Sequence, residues 1–302
     1  MPDMKNAFGH EVLQIREIVT DANVKETVAG MLADVLTYLG LSHTKAQQLI
    51  SGCLNAAASY QQLEAYEEQA HHILETEKVA SRIPEKLTAR ASLVYTEIAP
   101  YLSPGNVLDY GCGDGQVSQL VAEKLGNPVS LTDVYRHRHM DESGLPFRLF
   151  GQGQKAPFDD AEFSNVLAIT VFHHSSNPVE SIRDVARVTK PGGRVIVIES
   201  VFGVDGKQLP HEIRKKAGGY LALSGEQQRK VNVFFDHFYN RILHYSAGAA
   251  TKVNVPFNFN TPDGWRQVFA QNGLVQEAIV HLGLDQPTVP EYHTLHVLRK
   301  LS

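Results

Sequence analysis

The residues most capable of chemistry lie in Val107-Leu-Asp-Tyr-Gly-Cys-Gly-Asp-Gly115, an apolar run ending in an acid and followed by glycine at every second position. Glycine opens backbone angles closed to other residues and lets a ligand approach the main chain with no Cβ in between. Such a loop, set between a strand and a helix beginning near Gln116, is suited to a cofactor. Eighteen residues beyond Gly115, Asp133 closes another apolar run, where a carboxylate can accept hydrogen bonds from both hydroxyls of a ribose. A dinucleotide fingerprint requires glycine at position 116, where this chain has Gln116, so the dehydrogenase reading is weakened while an adenosine-type cofactor fits.

Two further groups could act on a substrate. His173 and His174 follow a fourth strand, at the edge of the sheet where open α/β folds bind ligands. An imidazole there is a natural general base, with His174 taken first, although the same pair could simply pack in the turn between strand and helix. Farther on, Val231-Asn-Val-Phe-Phe-Asp-His-Phe-Tyr-Asn-Arg241 puts Phe234, Phe238 and Arg241 on one helical face and Phe235 and Tyr239 on the next. These would wall a flat or apolar acceptor, with His237, Tyr239 and Arg241 as polar handles and His237 a third catalytic candidate; the aromatics could equally be the glue of a helical segment. Residues 203–255 hold 8 Lys/Arg against 4 Asp/Glu, which hints at an acidic group on the substrate. Arg136-His-Arg-His139 with Asp141 reads as a solvated loop, and His71 with His72 points to adjacent helix faces, so no metal site is expected.

These residues need a scaffold. From about Gly9 to Leu102 apolar residues recur at helical spacing, as in Val28, Met31, Leu32, Val35, Leu36 and Leu39, and four or so helices are expected. After Ser103-Pro104-Gly105, short β-branched runs alternate with helical segments, the pattern of a parallel sheet with crossover helices. Expected strands are Val107–Tyr110, Val129–Asp133, Phe147–Phe150, Val166–Thr170, Val195–Glu199, Val275–His281 and His293–Arg299. The gap between the fifth and sixth is too long for one crossover helix, so about 203–256 reads as a helical lid insertion. The resulting division is a helical cap over 1–102 and a cofactor-binding domain over 103–302.

A chain of 302 residues that is 43% hydrophobic can bury one large domain and an appendage. Its net charge of −5 offers no broad footprint for nucleic acid, and residues 1–100, with 8 Lys/Arg against 13 Asp/Glu, place the acidic excess in the helical part. No run of about 18 apolar residues and no signal-peptide pattern occurs, so a soluble, cytoplasmic protein is expected. Cys53 and Cys112, the two cysteines, form neither a disulfide framework nor a metal spacing and read as free thiols.

The glycine segment resembles the first motif of class I S-adenosylmethionine-dependent methyltransferases. Three more landmarks follow in order: Ala156-Pro-Phe-Asp-Asp-Ala-Glu-Phe163 resembles the family's turn before the fourth strand, Val171-Phe-His-His174 the end of that strand, and Val188-Thr-Lys-Pro-Gly-Gly193 the turn before the fifth. The resemblance covers about Pro104 to Ser200, and more weakly the closing helix and last two strands. It implies a doubly wound α/β fold with a seven-stranded sheet, mostly parallel with the last strand antiparallel. It also implies S-adenosylmethionine as donor and S-adenosylhomocysteine as product. Asp109 and the Gly111, Cys112, Gly113 loop would hold the methionine end, Asp133 and Val134 the ribose side, with Thr170 nearby. Gln152 and Gly153 fall where the family faces the adenine, although it commonly has an acid at the first of these.

The expected activity is methyl transfer to a small-molecule acceptor, at oxygen or carbon, by in-line displacement under the helical lid. The family's N-methylating tetrad is replaced here by Thr170-Val-Phe-His173, which argues against a nucleobase or amide nitrogen. A macromolecule methyltransferase, in which the helices dock protein or RNA, and a non-catalytic binding scaffold are the competing readings.

Overall fold

Val107, Leu108, Asp109 and Tyr110 form β1, and all four are buried. A strand in mid-sheet is covered on both faces, so it reads as a continuous apolar run rather than an alternation. The computed structural model describes residues 15–59, 62–79, 83–137, 140–243, 255–286 and 289–301. Residues 1–14 of the cap, 244–254 of the insertion, and Arg138 and His139 of the basic patch lie outside the described residues.

Two compact units are formed, one from residues 1–86, 201–255 and 283–292, the other from 87–200, 256–282 and 293–302. The second holds the sheet: β1, β2 (Val129–Asp133), β3 (Phe147–Leu149), β4 (Phe163–Ile169), β5 (Thr189–Ser200), β6 (Leu274–Gly283) and β7 (His293–Lys300), in the order β3-β2-β1-β4-β5-β7-β6. The first five are parallel, while β7 runs antiparallel to β5, with Val195 opposite Leu298. The seven-stranded doubly wound sheet with a reversed last strand is the one the sequence implies. Strand order reverses between β1 and β4, and it is outside the carboxyl ends of strands at such a switch point that open sheets bind ligands.

The expected bounds of β1 and β2 hold, and others shift. β4 begins at Phe163 rather than Val166, because Phe163 pairs with Thr189 and its ring meets Phe158 edge-on at 5.1 Å. β5 likewise starts at Thr189 rather than Val195; the Pro-Gly-Gly turn lies inside its paired span, with a register irregularity opposite Phe163–Asn165 and Gly192 at φ +74°. β3 stops at Leu149, one residue short of the expected Phe150.

The helical unit contains α1 (Ala22–Tyr38), α2 (His43–Ser59) and α3 (Leu63–Thr76); α4 (Ile83–Ile98) leads toward β1 in sequence. In the sheet unit, α5 (Gln116–Leu125) follows the glycine loop and α6 (Pro178–Val188) follows β4. The insertion contributes α7 (His211–Lys216) and α8 (Gly225–His237) to the helical unit, and α9 (Pro262–Gln271) precedes β6. Val28, Leu32 and Leu36 of α1 are fully buried, each worth about 1.5–3 kcal/mol of apolar transfer. Asp21 caps α1 by accepting from Val24 N, and it also accepts from Gln227 and pairs with Lys230 of α8, so one carboxylate fastens the insertion to the first helix. Ser224 and Gln227 form a capping box at the start of α8. The Tyr220 hydroxyl donates to the Val201 carbonyl and to Asn232 Oδ1, and its ring stacks on Tyr292 at 5.8 Å. Among the described residues no helix is long and apolar enough to cross a membrane. Cys53 and Cys112 are both buried free thiols.

Candidate active site

The three glycines after β1 have left-handed backbones but different surroundings. A Cβ on Gly111, at φ +78°, would come within 2.6 Å of Val171 Cγ2, and one on Gly115, at φ +74°, within 2.6 Å of Met140 Cε. Packing therefore requires glycine at Gly111, whereas at Gly115 the flexible end of Met140 can move aside and the left-handed backbone is what favours glycine. A Cβ on Gly113, at φ +54°, would meet nothing within 4 Å. Of the three, only Gly113 has open space where a Cβ would sit, so it is the one at which a ligand could lie against the backbone.

Two carboxylates are set around this loop. Asp109, 3% exposed at the end of β1, accepts from the Ser118 hydroxyl of α5 at 2.7 Å. Burial pushes its pKa up to about 7, against the Ser118 hydrogen bond and with help from the charges of Asp133 and Asp114. Asp133, 5% exposed, accepts from Gly113 N at 2.9 Å through Oδ2, and from Val134 N at 2.7 Å and Tyr135 N at 3.3 Å through Oδ1. Burial raises it to about 6, partly opposed by those amides. The same environment pushes the Cys112 thiol up, away from a nucleophilic thiolate. Carboxyls whose pKa burial has raised, Asp109 with help from the charge of Asp133, favour a positively charged ligand, whose arrival would let them ionise.

On the other side of β1, Val134 exposes 45% of its surface directly after Asp133. Gln152 is exposed and donates through Nε2 to Ser176 Oγ at 3.2 Å, and Gly153, at φ +75°, has open space where a Cβ would sit. At the end of β4, Thr170 holds φ +55° while its N–H donates to the Ile198 carbonyl at 2.7 Å. A β-branched residue in that region stores about 1–3 kcal/mol of strain, which persists where surrounding structure over-determines it and which clusters at functional sites.

Directly beyond Thr170 stands a group that sequence reasoning missed. Glu199, fully buried at the end of β5, accepts from Val171 N at 3.0 Å and Phe172 N at 2.6 Å through Oε1, and faces His173 Nδ1 through Oε2 at 2.6 Å. Burial raises Glu199 to about 7, with the two amides and the charge of His174 opposing. The His173 ring is 1% exposed, stacks on Phe259 at 5.1 Å and lies 4.0 Å from the half-buried His174 ring. A signal for Glu199 existed: the apolar run Val195-Ile-Val-Ile198 is closed by this acid, just as Asp109 and Asp133 follow apolar residues of their own strands.

The helical-unit candidates form a separate set. His237 is fully buried, with Nε2 3.2 Å from Glu67 Oε1 and its ring stacked on Tyr66 at 5.5 Å. Phe234, Phe235 and Phe238 are each 1% exposed; Phe234 stacks on Phe238 at 5.8 Å and meets Phe235 edge-on at 5.3 Å, so the three rings contribute to the core of the unit. Tyr239 and Arg241, both 8% exposed, belong to the π-helical turn Phe238–Leu243 that continues α8.

Residues 108–197 match the family described as "Methyltransferase domain". The ubiquinone biosynthesis O-methyltransferase of Maricaulis maris is 37% identical over 98 residues, 30% of this chain and 38% of that protein. The ubiquinone/menaquinone biosynthesis C-methyltransferase UbiE of Legionella pneumophila is 31% identical over 117 residues, 35% of this chain and 47% of that protein. The chain thus spans less than half the length of either relative. A solved structure of the 1,6-didemethyltoxoflavin-N1-methyltransferase of Burkholderia thailandensis, with 1,6-didemethyltoxoflavin and S-adenosylhomocysteine bound, covers 71% of this chain and 78% of its own at 15% identity and a TM-score of 0.45. The sequence landmarks fall in or beside the matched stretch, and residues 108–197 of the chain are similar to a methyltransferase domain.

Proposed function

We propose that the protein transfers a methyl group from S-adenosylmethionine to a small-molecule acceptor, at oxygen or at an acidic carbon, with His173 and Glu199 handling the acceptor's proton. The observation that carries this reading is the 2.6 Å contact between His173 Nδ1 and Glu199 Oε2, two residues along from Val171, the side chain that a Cβ on Gly111 would strike.

When bound, S-adenosylmethionine supplies a methyl group already activated by its sulfonium. The residues that would hold it are Asp109 and the Gly111–Gly113 backbone at the methionine end, Asp133 and Val134 at the ribose, and Gln152 and Gly153 at the adenine. What remains for the protein is positioning, exclusion of water and removal of a proton. Two backbone amides occupy Glu199 Oε1, so Oε2 is the acceptor for an Nδ1–H, and that tautomer makes Nε2 of His173 the basic atom. Glu199 is in this reading a positioning residue. His174, half-buried beside His173, is the second candidate base, and His237, paired with Glu67, the third. By their names, the matched relatives methylate oxygen and carbon, in keeping with the absence of the N-methylating tetrad.

The test is a screen of hydroxylated aromatic compounds for methylation by the full chain with labelled S-adenosylmethionine, followed by His173→Ala and His174→Ala on any acceptor found. Loss of turnover by about 10²-fold or more in His173→Ala supports the assignment. Unchanged turnover in both variants rules out His173 and His174 as the base, and labelling of protein or RNA alone redirects the reading to a macromolecular acceptor.

A further inference from the structure

Arg241 occupies the π-helical turn after α8, and its side chain is more than nine-tenths buried. Its Nε has no hydrogen-bond partner, and among the described residues no carboxylate pairs with the guanidinium. Of the nearby acids, Asp236 Oδ1 accepts from Asn240, and Glu67 Oε1 lies 3.2 Å from His237 Nε2. A buried lysine could shed its proton, but a guanidinium stays charged at any ordinary pH. Burying that charge unpaired is strongly unfavourable, and a side chain of this length could have been replaced by an apolar one of similar volume.

Two neighbouring features point the same way. The hydroxyl of Tyr66, on α3, is likewise buried with no hydrogen-bond partner, and α3 packs against the π-helical turn. The π-helical turn is itself a rare geometry, frequent at functional sites. A fixed charge and an unused hydroxyl in one helical unit suit a site for an anionic group.

We propose that Arg241 is an anion-recognition residue of the helical unit, so that this unit takes a ligand carrying an anionic oxygen group, a carboxylate or a phosphate, that the guanidinium binds through its fork.

The experiment is thermal unfolding of the full chain, saturated with S-adenosylhomocysteine, for wild type and Arg241→Met, with benzoate, inorganic phosphate, benzamide as the neutral counterpart of benzoate, and sodium chloride at matched ionic strength. Without added anion, Arg241→Met is expected to melt about 2–4 °C above wild type, because an unpaired buried charge has gone. Wild type is expected to be stabilised saturably by benzoate or phosphate and not by benzamide, and Arg241→Met to bind that anion at least about 30-fold more weakly. The response to benzoate against that to phosphate identifies which anion is accepted. A less stable Arg241→Met, a wild type indifferent to both anions beyond chloride, or an equal response in the variant overturns the proposal. Arg241→Lys keeps the charge without the fork and covers the case in which Arg241→Met does not fold: a weakened anion response supports the proposal and an unchanged one overturns it. Binding of S-adenosylhomocysteine by calorimetry separates the two readings, since intact binding without an anion response removes the anion site alone, whereas absent binding removes the methyltransferase reading.

Discussion

Glu199 holds His173 with one carboxylate oxygen, at 2.6 Å from Nδ1, while its other oxygen takes the amides of Val171 and Phe172. The turn after β4 and the imidazole within it are thus anchored to one buried residue on β5. Glu199→Gln keeps the shape and removes the charge that supports the imidazolium. On a confirmed acceptor it should lower kcat by about 10²-fold or more and move the acidic limb of the pH profile to lower pH, because an imidazole without its carboxylate is less basic. An unshifted profile with a proportionate loss of folded protein would make Glu199 structural only.

The glycine loop separates packing from binding. Gly111→Ala combines a left-handed backbone with a collision against Val171 and should destabilise the fold by about 3 kcal/mol. Gly113→Ala meets only the backbone preference and should cost about 1 kcal/mol. Denaturant melts of both variants check the order; equal losses would mean that the open space at Gly113 has no counterpart in solution.

The Asp133 carboxylate, proposed to meet a ribose, is also held by the backbone around it. Because its carboxylate accepts three backbone amides, among them Gly113 N, Asp133→Ala should loosen the loop and lower stability by about 1–3 kcal/mol in addition to weakening cofactor binding. Asp133→Asn, which retains one acceptor oxygen, should lose less stability than Asp133→Ala while still losing affinity. Melting and calorimetry on the pair distinguish the two contributions, and identical melts for all three proteins would contradict the hydrogen-bonding role.

Burial raises Asp109 to about 7, Asp133 to about 6 and Glu199 to about 7. A carboxyl whose folded pKa is raised binds its proton more tightly in the native state. Its contribution to stability is full below about pH 4 and is lost as pH rises through 6 to 7. The ligand-free protein should therefore lose stability from these groups between about pH 4 and 7. A cationic ligand reverses the balance by drawing Asp109 and Asp133 into their charged forms, so binding of S-adenosylmethionine near pH 6.5 should release protons and tighten as pH rises. Calorimetric heats measured in buffers of different ionisation enthalpy report the release; heats independent of buffer would contradict it.

Much of the donor side was legible because it is local. β1 and β2 end where glycine or a polar loop begins, and the motif Asp109 to Gly115 places acid, loop and helix within ten residues. What escaped depends on contacts across the sheet. Whether Gly111, Gly113 or Gly115 borders open space is decided by Val171 and Met140, distant in sequence. Glu199 looked like a strand terminus because its partners come from the turn after β4. The span of β5 was misjudged because pairing with Phe163 carries the strand through a Pro-Gly-Gly turn that local propensity reads as a break. In the insertion, helical spacing put Phe234 and Phe238 on one face and they do stack, but periodicity cannot tell a core ring from a pocket wall.

The most direct test of the donor assignment is calorimetric titration of wild type and folded Gly113→Ala with S-adenosylmethionine, S-adenosylhomocysteine and NAD. The expected result is that wild type binds the first two and not NAD, while Gly113→Ala, with a methyl group in the space the ligand needs, binds at least about tenfold more weakly. Binding of NAD alone, or equal affinity for S-adenosylmethionine in the two proteins, would contradict it.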